Sequence, residues 1–340
     1  MKVSMKMVAA SSALAVGLGV SLAGCGTPSA TNSTEPVIGA DVSSLSIPYF
    51  KAAQLGIIDG GKKFHATIRM DNADNSATTQ LKQVEDLIAQ HVQALVINPV
   101  NSSAIVPAIE AANRAHIPVV LVDRGATGGN VYTTVESNNI LLGEEAGKTI
   151  VNLLTKKFGS PKGNVVEIDG PLSTSSGLGR HDGLREELDK YKDIHIIATA
   201  NGNYSDSGGY AAMSDILQAH PQISGPNAID AVFGANDESS AGAAQAIQAA
   251  HRFYPPSSSN HIIQVSVDGS PIGVHELETG HVDAIVAQHP ISMAEEAVHY
   301  ALNAIHKKPS PGRVVYWPYV VVTPQNINSI NLWGKRMSAS

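Results

Sequence analysis

A single cysteine, Cys25, in 340 residues excludes an internal disulfide framework and the small stapled folds that depend on one. Aromatic residues make up only 5% of the chain, and its lysines and arginines are scattered through a protein of formal net charge -7. That leaves no basic stripe and no basic–aromatic interleaving of the kind a phosphate backbone demands, so nucleic acid is not an expected partner. Missing too are the signatures of common chemistries: no Walker loop or strand-anchored GxGxxG for phosphates, no HExxH for zinc, no GxSxG for a nucleophilic serine. The densest ligand-type cluster, His275, Glu276 and His281 in HELETGH, reads as a solvated helix end. No enzyme, no metal and no cofactor are expected.

The N-terminus has few charges, and those are placed as in a targeting segment. Lys2 and Lys6 precede an uncharged run to Gly24 that is too short and too rich in Gly and Ser to span a bilayer comfortably. Residues 1–24 are read as a lipoprotein signal peptide, because Leu22, Ala23, Gly24 and Cys25 resemble the bacterial lipobox, in which the cysteine sulfur receives lipid and becomes the new N-terminus. Residues 25–36, small, polar and aperiodic, read as a flexible tether. The expectation is an extracytoplasmic domain starting near Val37 that meets the membrane only through its lipid anchor.

From Val37 onward, short β-branched runs alternate with segments of helical period. VIGADV (37–42), HATIRM (65–70), ALVIN (94–98), VVLVD (119–123), NVVEID (164–169), IHIIA (194–198), DAVFG (230–234), IIQVSV (262–267), DAIVA (283–287) and YVVVT (319–323) predict strands. Between them, 78–91 places Leu81, Val84, Leu87 and Ile88 on one helical face, and 104–116 does the same with Ile105, Ile109 and Ala112. Continuous apolar strands alternating with amphipathic helices predict parallel sheets covered on both faces, hence a doubly wound α/β fold. Ten such units exceed one comfortable sheet and divide into two similar lobes, the pattern changing near Ser137.

In open α/β sheets ligands bind beyond the carboxyl ends of the strands. Seven of the predicted strands lead there into aromatic or hydrogen-bonding residues: Tyr49 and Phe50, Asp123 and Arg124, Arg180, Tyr204, Asn236 with Asp237, Asp268, and Gln288. Singly, each has an ordinary reading as a cap, a turn or a core residue. Together they suit one kind of partner. Carboxylates accept, guanidinium donates in a fork and amides do both, which matches vicinal hydroxyls, while aromatic rings match the C–H faces of a sugar ring.

In their order along the chain, SIPYF, LVINPVNSSAI, IPVVLVDRGATGGN, VVEIDG, FGANDESSAGAAQAI, VSVDGSP and IVAQHP resemble the periplasmic sugar-binding proteins of ABC transporters, in the ribose-binding branch of the type I fold, over about residues 37–323. The resemblance implies two lobes joined by a three-strand hinge with a ligand cleft between them. It assigns 37–137 plus 289–317 to the N-terminal lobe, 138–288 plus 318–325 to the C-terminal lobe, and 326–340 to a tail. It also implies ligand contacts from Tyr49, Phe50, Asp123, Arg124, Arg180, Tyr204, Asn236, Asp268 and Gln288. Its function would be capture of a monosaccharide or polyol by a monomer and delivery to a membrane permease. The alternative is a sensing binder of a sugar or of autoinducer-2. Ile47 departs from the ribose-binding pattern, which has asparagine there, and Tyr49 and Tyr204 stand where phenylalanine is usual; these changes count against ribose itself.

Overall fold

The computed structural model describes residues 35–338. The expected signal peptide, the lipid-acceptor Cys25 and most of the tether lie outside the described residues. No helix among the described residues is long and apolar enough to cross a membrane.

Among the described residues, twelve strands form two sheets of six, accompanied by ten α-helices. The first sheet contains β1 (Val37–Val42), β2 (Thr67–Asn72), β3 (Ala94–Ile97), β4 (Val119–Val122), β5 (Thr133–Ser137) and β11 (Val314–Trp317), all parallel, in the order β11-β5-β4-β3-β1-β2. The second contains β6 (Gly163–Asp169), β7 (Ile194–Asn201), β8 (Ala231–Gly234), β9 (Ile263–Asp268), β10 (Ala284–Ala287) and β12 (Val320–Val322), in the order β12-β10-β9-β8-β6-β7, with only the β10–β12 pairing antiparallel.

The strands are continuous apolar runs because both of their faces are covered. In β3, Ala94 and Val96 face a core built with α1 (Pro48–Phe64) and α9 (Pro290–Ile305). Leu95 and Ile97, one residue out of phase, face a second core built with α2 (Ala77–Ala89) and α3 (Val106–Arg114). In β6, Val165 joins the core under α4 (Asn139–Phe158) and α5 (Ser175–Leu188), while Val166 and Ile168 face α6 (Asp206–Ala219) and α7 (Asp237–Ala249). This period-2 split into two cores is the doubly wound architecture expected from the sequence.

Two strands were not expected. β5, TTVES, is polar at four of its five positions although it is largely buried, and β11, VVYW, is a short, half-exposed edge strand following a Pro-Gly turn. Neither combines an apolar run with burial on both faces.

The chain passes between the sheets three times. β5 leads into α4 on the second lobe, β10 leads into α9 packed beside α1 on the first, and β11 leads through Pro318 into β12. The C-terminal segment is more than a tail. After α8 (Pro271–Thr279) and a 3-10 turn at Ile327–Ser329, Leu332 enters a second-lobe core and Trp333, 5% exposed, enters the first-lobe core at the start of α10 (Trp333–Ser338).

Candidate functional site

Helix N-termini and strand ends from both sheets converge between the lobes. Asn236 caps α7 by accepting from the Ser239 amide, and Thr174 and Ser205 cap α5 and α6 in the same way. Pro48 opens α1, which holds Tyr49 and Phe50 rigidly in its first turn. Asp123 and Tyr204 adopt left-handed backbone at φ 67° and 53°. Such strain in non-glycine residues concentrates at sites whose surroundings enforce it.

The two walls face each other across a small cavity, lined by Ile47, Tyr49, Phe50, Asp123 and Arg124 from one lobe and by Ser176, Arg180, Tyr204, Asn236 and Asp268 from the other. Eight of the nine sequence-derived residues therefore line one space. Gln288 does not line it; it sits behind the wall, donating from Nε2 to Asp268 Oδ1 at 2.6 Å and accepting from Tyr49 Oη at 3.4 Å. All nine are buried.

Charge in the cavity is held by a mesh of partners. Arg180 Nη1 lies 3.4 Å from Asp268 Oδ1 and donates to the Ala235 carbonyl at 2.6 Å, while its Nε donates to Asn139 Oδ1 at 3.0 Å. Arg124 Nη1 donates to the Pro99 carbonyl at 3.0 Å, and its guanidinium lies over the rings of Phe50 and Tyr204 at 4.8 and 5.6 Å. Its Nε is buried with no hydrogen-bond partner. An unpaired buried donor is costly, and a ligand oxygen in the cavity would remove that cost.

Three residues that the sequence reading passed over complete the site. Asn98, fully buried at the end of β3, donates to Asp123 Oδ2 at 3.2 Å and to the Val122 carbonyl at 3.1 Å, fixing the carboxylate. Its signal was a polar residue ending a buried strand, the same signal that marked Asp123. Ser176 lies in the first turn of α5. Trp333 donates from its indole nitrogen to the Asp268 carbonyl at 2.8 Å and meets Tyr49 edge-on at 5.9 Å, touching one residue of each wall.

Burial pushes Asp268 up to about 8, with Arg180 opposing the shift and Asp237 adding to it. Burial alone would lower Arg180, but Asp268 and its other neighbours raise it, so the guanidinium stays charged. Burial, then Asp123 and Asp268, holds the Tyr49 hydroxyl protonated. Outside the cavity, burial also raises Glu136 to about 8 and Asp41 to about 7.

These carboxyls ionise near their ordinary values of about 4 when the chain unfolds. The folded state therefore binds more protons than the unfolded state between about pH 4 and 8, and stability falls as pH rises across that range. The melting temperature of the unliganded protein is expected to decline from pH 5 to pH 8 in differential scanning fluorimetry, with a shallower slope in Asp268→Asn. A melting temperature that rises over this interval would contradict the assignment.

Among the described residues, one group carries converging metal-ligand types: Glu167, Asp169 and His181. Arg185 pairs with Glu167 at 2.7 Å, and His181 Nδ1 bridges Glu167 and Asp169 at 2.9 and 3.1 Å, which makes an ion network beneath α5. In HELETGH, His281 pairs with Glu276 at 2.8 Å.

A family model described as a periplasmic binding protein domain matches residues 38–309. The chain belongs to this family. The ribose import binding protein of Bacillus subtilis (strain 168) is 33% identical over 277 residues, 82% of this chain and 84% of the relative. The xylitol-binding protein of Mycolicibacterium smegmatis is 28% identical over 280 residues, 82% of this chain and 75% of the relative. The periplasmic component of the arabinose ABC transporter from Shewanella sp. ANA-3 superposes with a TM-score of 0.80, covering 89% of this chain and 97% of that one; at 22% identity this likeness concerns the fold. The family resemblance carried by the strand-end motifs is thus correct, and the periplasmic binding protein fold accounts for both sheets.

Proposed function

We propose that the protein captures a monosaccharide or a related polyol outside the cytoplasm and hands it to the permease of an ABC importer, without turning it over. The observation that carries this reading is the make-up of the cavity: two arginines, two aspartates and an asparagine between aromatic side chains, supplied by both lobes. Its donors and acceptors suit vicinal hydroxyls, and its rings suit the C–H faces of a sugar. The ribose and xylitol binders among its relatives support the ligand class. Lipid on Cys25 would tether a monomer near the permease and raise its effective concentration there.

A thermal-shift panel of pentoses, hexoses, polyols and autoinducer-2 tests the reading, because stabilisation grows as RT ln(1 + [L]/Kd). A shift with at least one sugar or polyol is expected; no shift with any, or turnover of one, would sink it.

Capture requires the two walls to meet, and three hydrogen bonds join the lobes beside the cavity. The Ser102 amide donates to the Ser173 carbonyl at 3.1 Å, the Ser175 amide to Ser102 Oγ at 3.0 Å, and the Gly125 amide to Ser175 Oγ at 2.8 Å. None of these groups lines the cavity. Each such bond is worth about 0.5–1.5 kcal/mol, so Ser102→Ala and Ser175→Ala should each weaken sugar binding by about 2- to 10-fold. The loss should lie in faster dissociation, measured by stopped flow, because the bonds form only on closure. Unchanged dissociation rates would show that they do not hold the closed form.

A further inference from the structure

Beside the sugar cavity lies a second, wider and more open space, bounded by the loop before α1 on one lobe and by α6 and α7 on the other. The two spaces share Ile47 and Tyr204 as a common wall. We propose that this vestibule is a second subsite, and that the protein takes a substituted sugar, a glycoside or a disaccharide, whose first ring fills the cavity and whose substituent passes Ile47 to lie in the vestibule. The inference rests on the sugar-binding reading of the cavity and deepens it.

Three observations carry it. Ile47 offers no hydrogen bond, so a ring oxygen substituent facing it can be an ether as readily as a hydroxyl; a hydroxyl there would be the group left unpaired. Glu238 lines the vestibule, and its Oε2 accepts from Asn236 of the sugar cavity, so one hydrogen-bonded pair joins the two spaces. Tyr210, in the first turns of α6, is 42% exposed and lines the same space, presenting a ring for which a sugar C–H face is a fitting partner. Gln245 and Asp206, paired with each other at 3.1 Å, supply further donor and acceptor capacity at the rim.

The test is isothermal titration calorimetry of the purified protein with D-ribose, D-xylose and D-galactose, their methyl α- and β-glycosides, and the disaccharides xylobiose and lactose. At least one substituted sugar is expected to bind as tightly as its free parent or more so. Tyr210→Ala should then weaken that ligand by about fivefold or more while leaving the free sugar within about twofold, because the lost stacking serves only the substituent. Gln245→Ala should show the same selectivity to a smaller degree. If free sugars bind and every substituent abolishes binding, or if both variants treat free and substituted ligands alike, the vestibule is only the mouth of the cleft and the proposal falls alone. If no free or substituted sugar binds here and the thermal-shift panel of pentoses, hexoses and polyols is also silent, the sugar reading of the cavity falls with it.

Discussion

Arg180→Ala should yield a protein that folds, melts at a lower temperature and binds its sugar roughly 30-fold to several thousand-fold more weakly, the range set by about 2–5 kcal/mol for a buried charged hydrogen-bonding group lost from an interface. The guanidinium is 3% exposed and serves Asp268, the Asn139 amide oxygen and the Ala235 carbonyl at once. Truncation strands the Asn139 and Ala235 oxygens and leaves the Asp268 carboxyl with Gln288 as its remaining side-chain partner. Breaking a buried pair usually costs about 3–5 kcal/mol of stability, and here part of that is relieved because Asp268, already pushed up to about 8, can hold a proton at neutral pH. Arg180→Lys should retain the charge and lose the fork, recovering stability better than affinity. Calorimetry and melting curves on the two variants separate these effects; full affinity in Arg180→Ala would remove this residue, and the second-lobe wall with it, from the site.

Gly183→Ala is expected to be nearly as damaging although it touches no ligand. Helices α4 and α5 approach so closely that a Cβ on Gly183 would stand 2.0 Å from the Ile140 carbonyl oxygen, and one on Gly143 would stand 2.2 Å from the Arg180 carbonyl oxygen. Both obstacles are backbone, which cannot swing aside as a side chain can. Overpacking of this kind costs about 1–3 kcal/mol, and relief requires α5 to move away, carrying Arg180 with it. A melting temperature lower by several degrees and a sugar affinity reduced tenfold or more are the expected results, the first following from about 2–4 °C per kcal/mol for a domain of this size class. A variant that melts and binds like the parent would mean that these helices have slack the geometry does not show.

The glycine contact was written in the sequence as pairs four apart, Gly143 with Gly147 and Gly179 with Gly183, but such spacing acquires meaning only when the partner helix is known. Strand interiors and their polar ends were legible for a local reason: burial on both faces makes the run continuous, and the first polar residue after it must lie at the sheet edge. That logic located Asp123, Asn236 and Asp268. Asn98, the last residue of the predicted strand ALVIN, meets the same criterion but is not among the expected site residues. That logic could not find Trp333, whose partners Tyr49 and Asp268 lie 284 and 65 positions away in sequence. β5 escaped because its buried residues are mostly polar, and β11 because it is a short, half-exposed edge strand. The passage of the chain between lobes left no periodic trace at all, and was expected only from the family resemblance.

The chain contains two tryptophans, Trp317 at the end of β11 where the chain crosses to the second sheet, and Trp333 wedged between Tyr49 and Asp268. Indole emission follows the polarity around the ring, and both rings sit where the lobes join. Excitation at the red edge of the indole band, beyond the absorption of the nine tyrosines, therefore reports on the junction of the lobes. A shift in emission on adding sugar, recorded without any attached dye, would make the protein its own optical gauge of opening and closing.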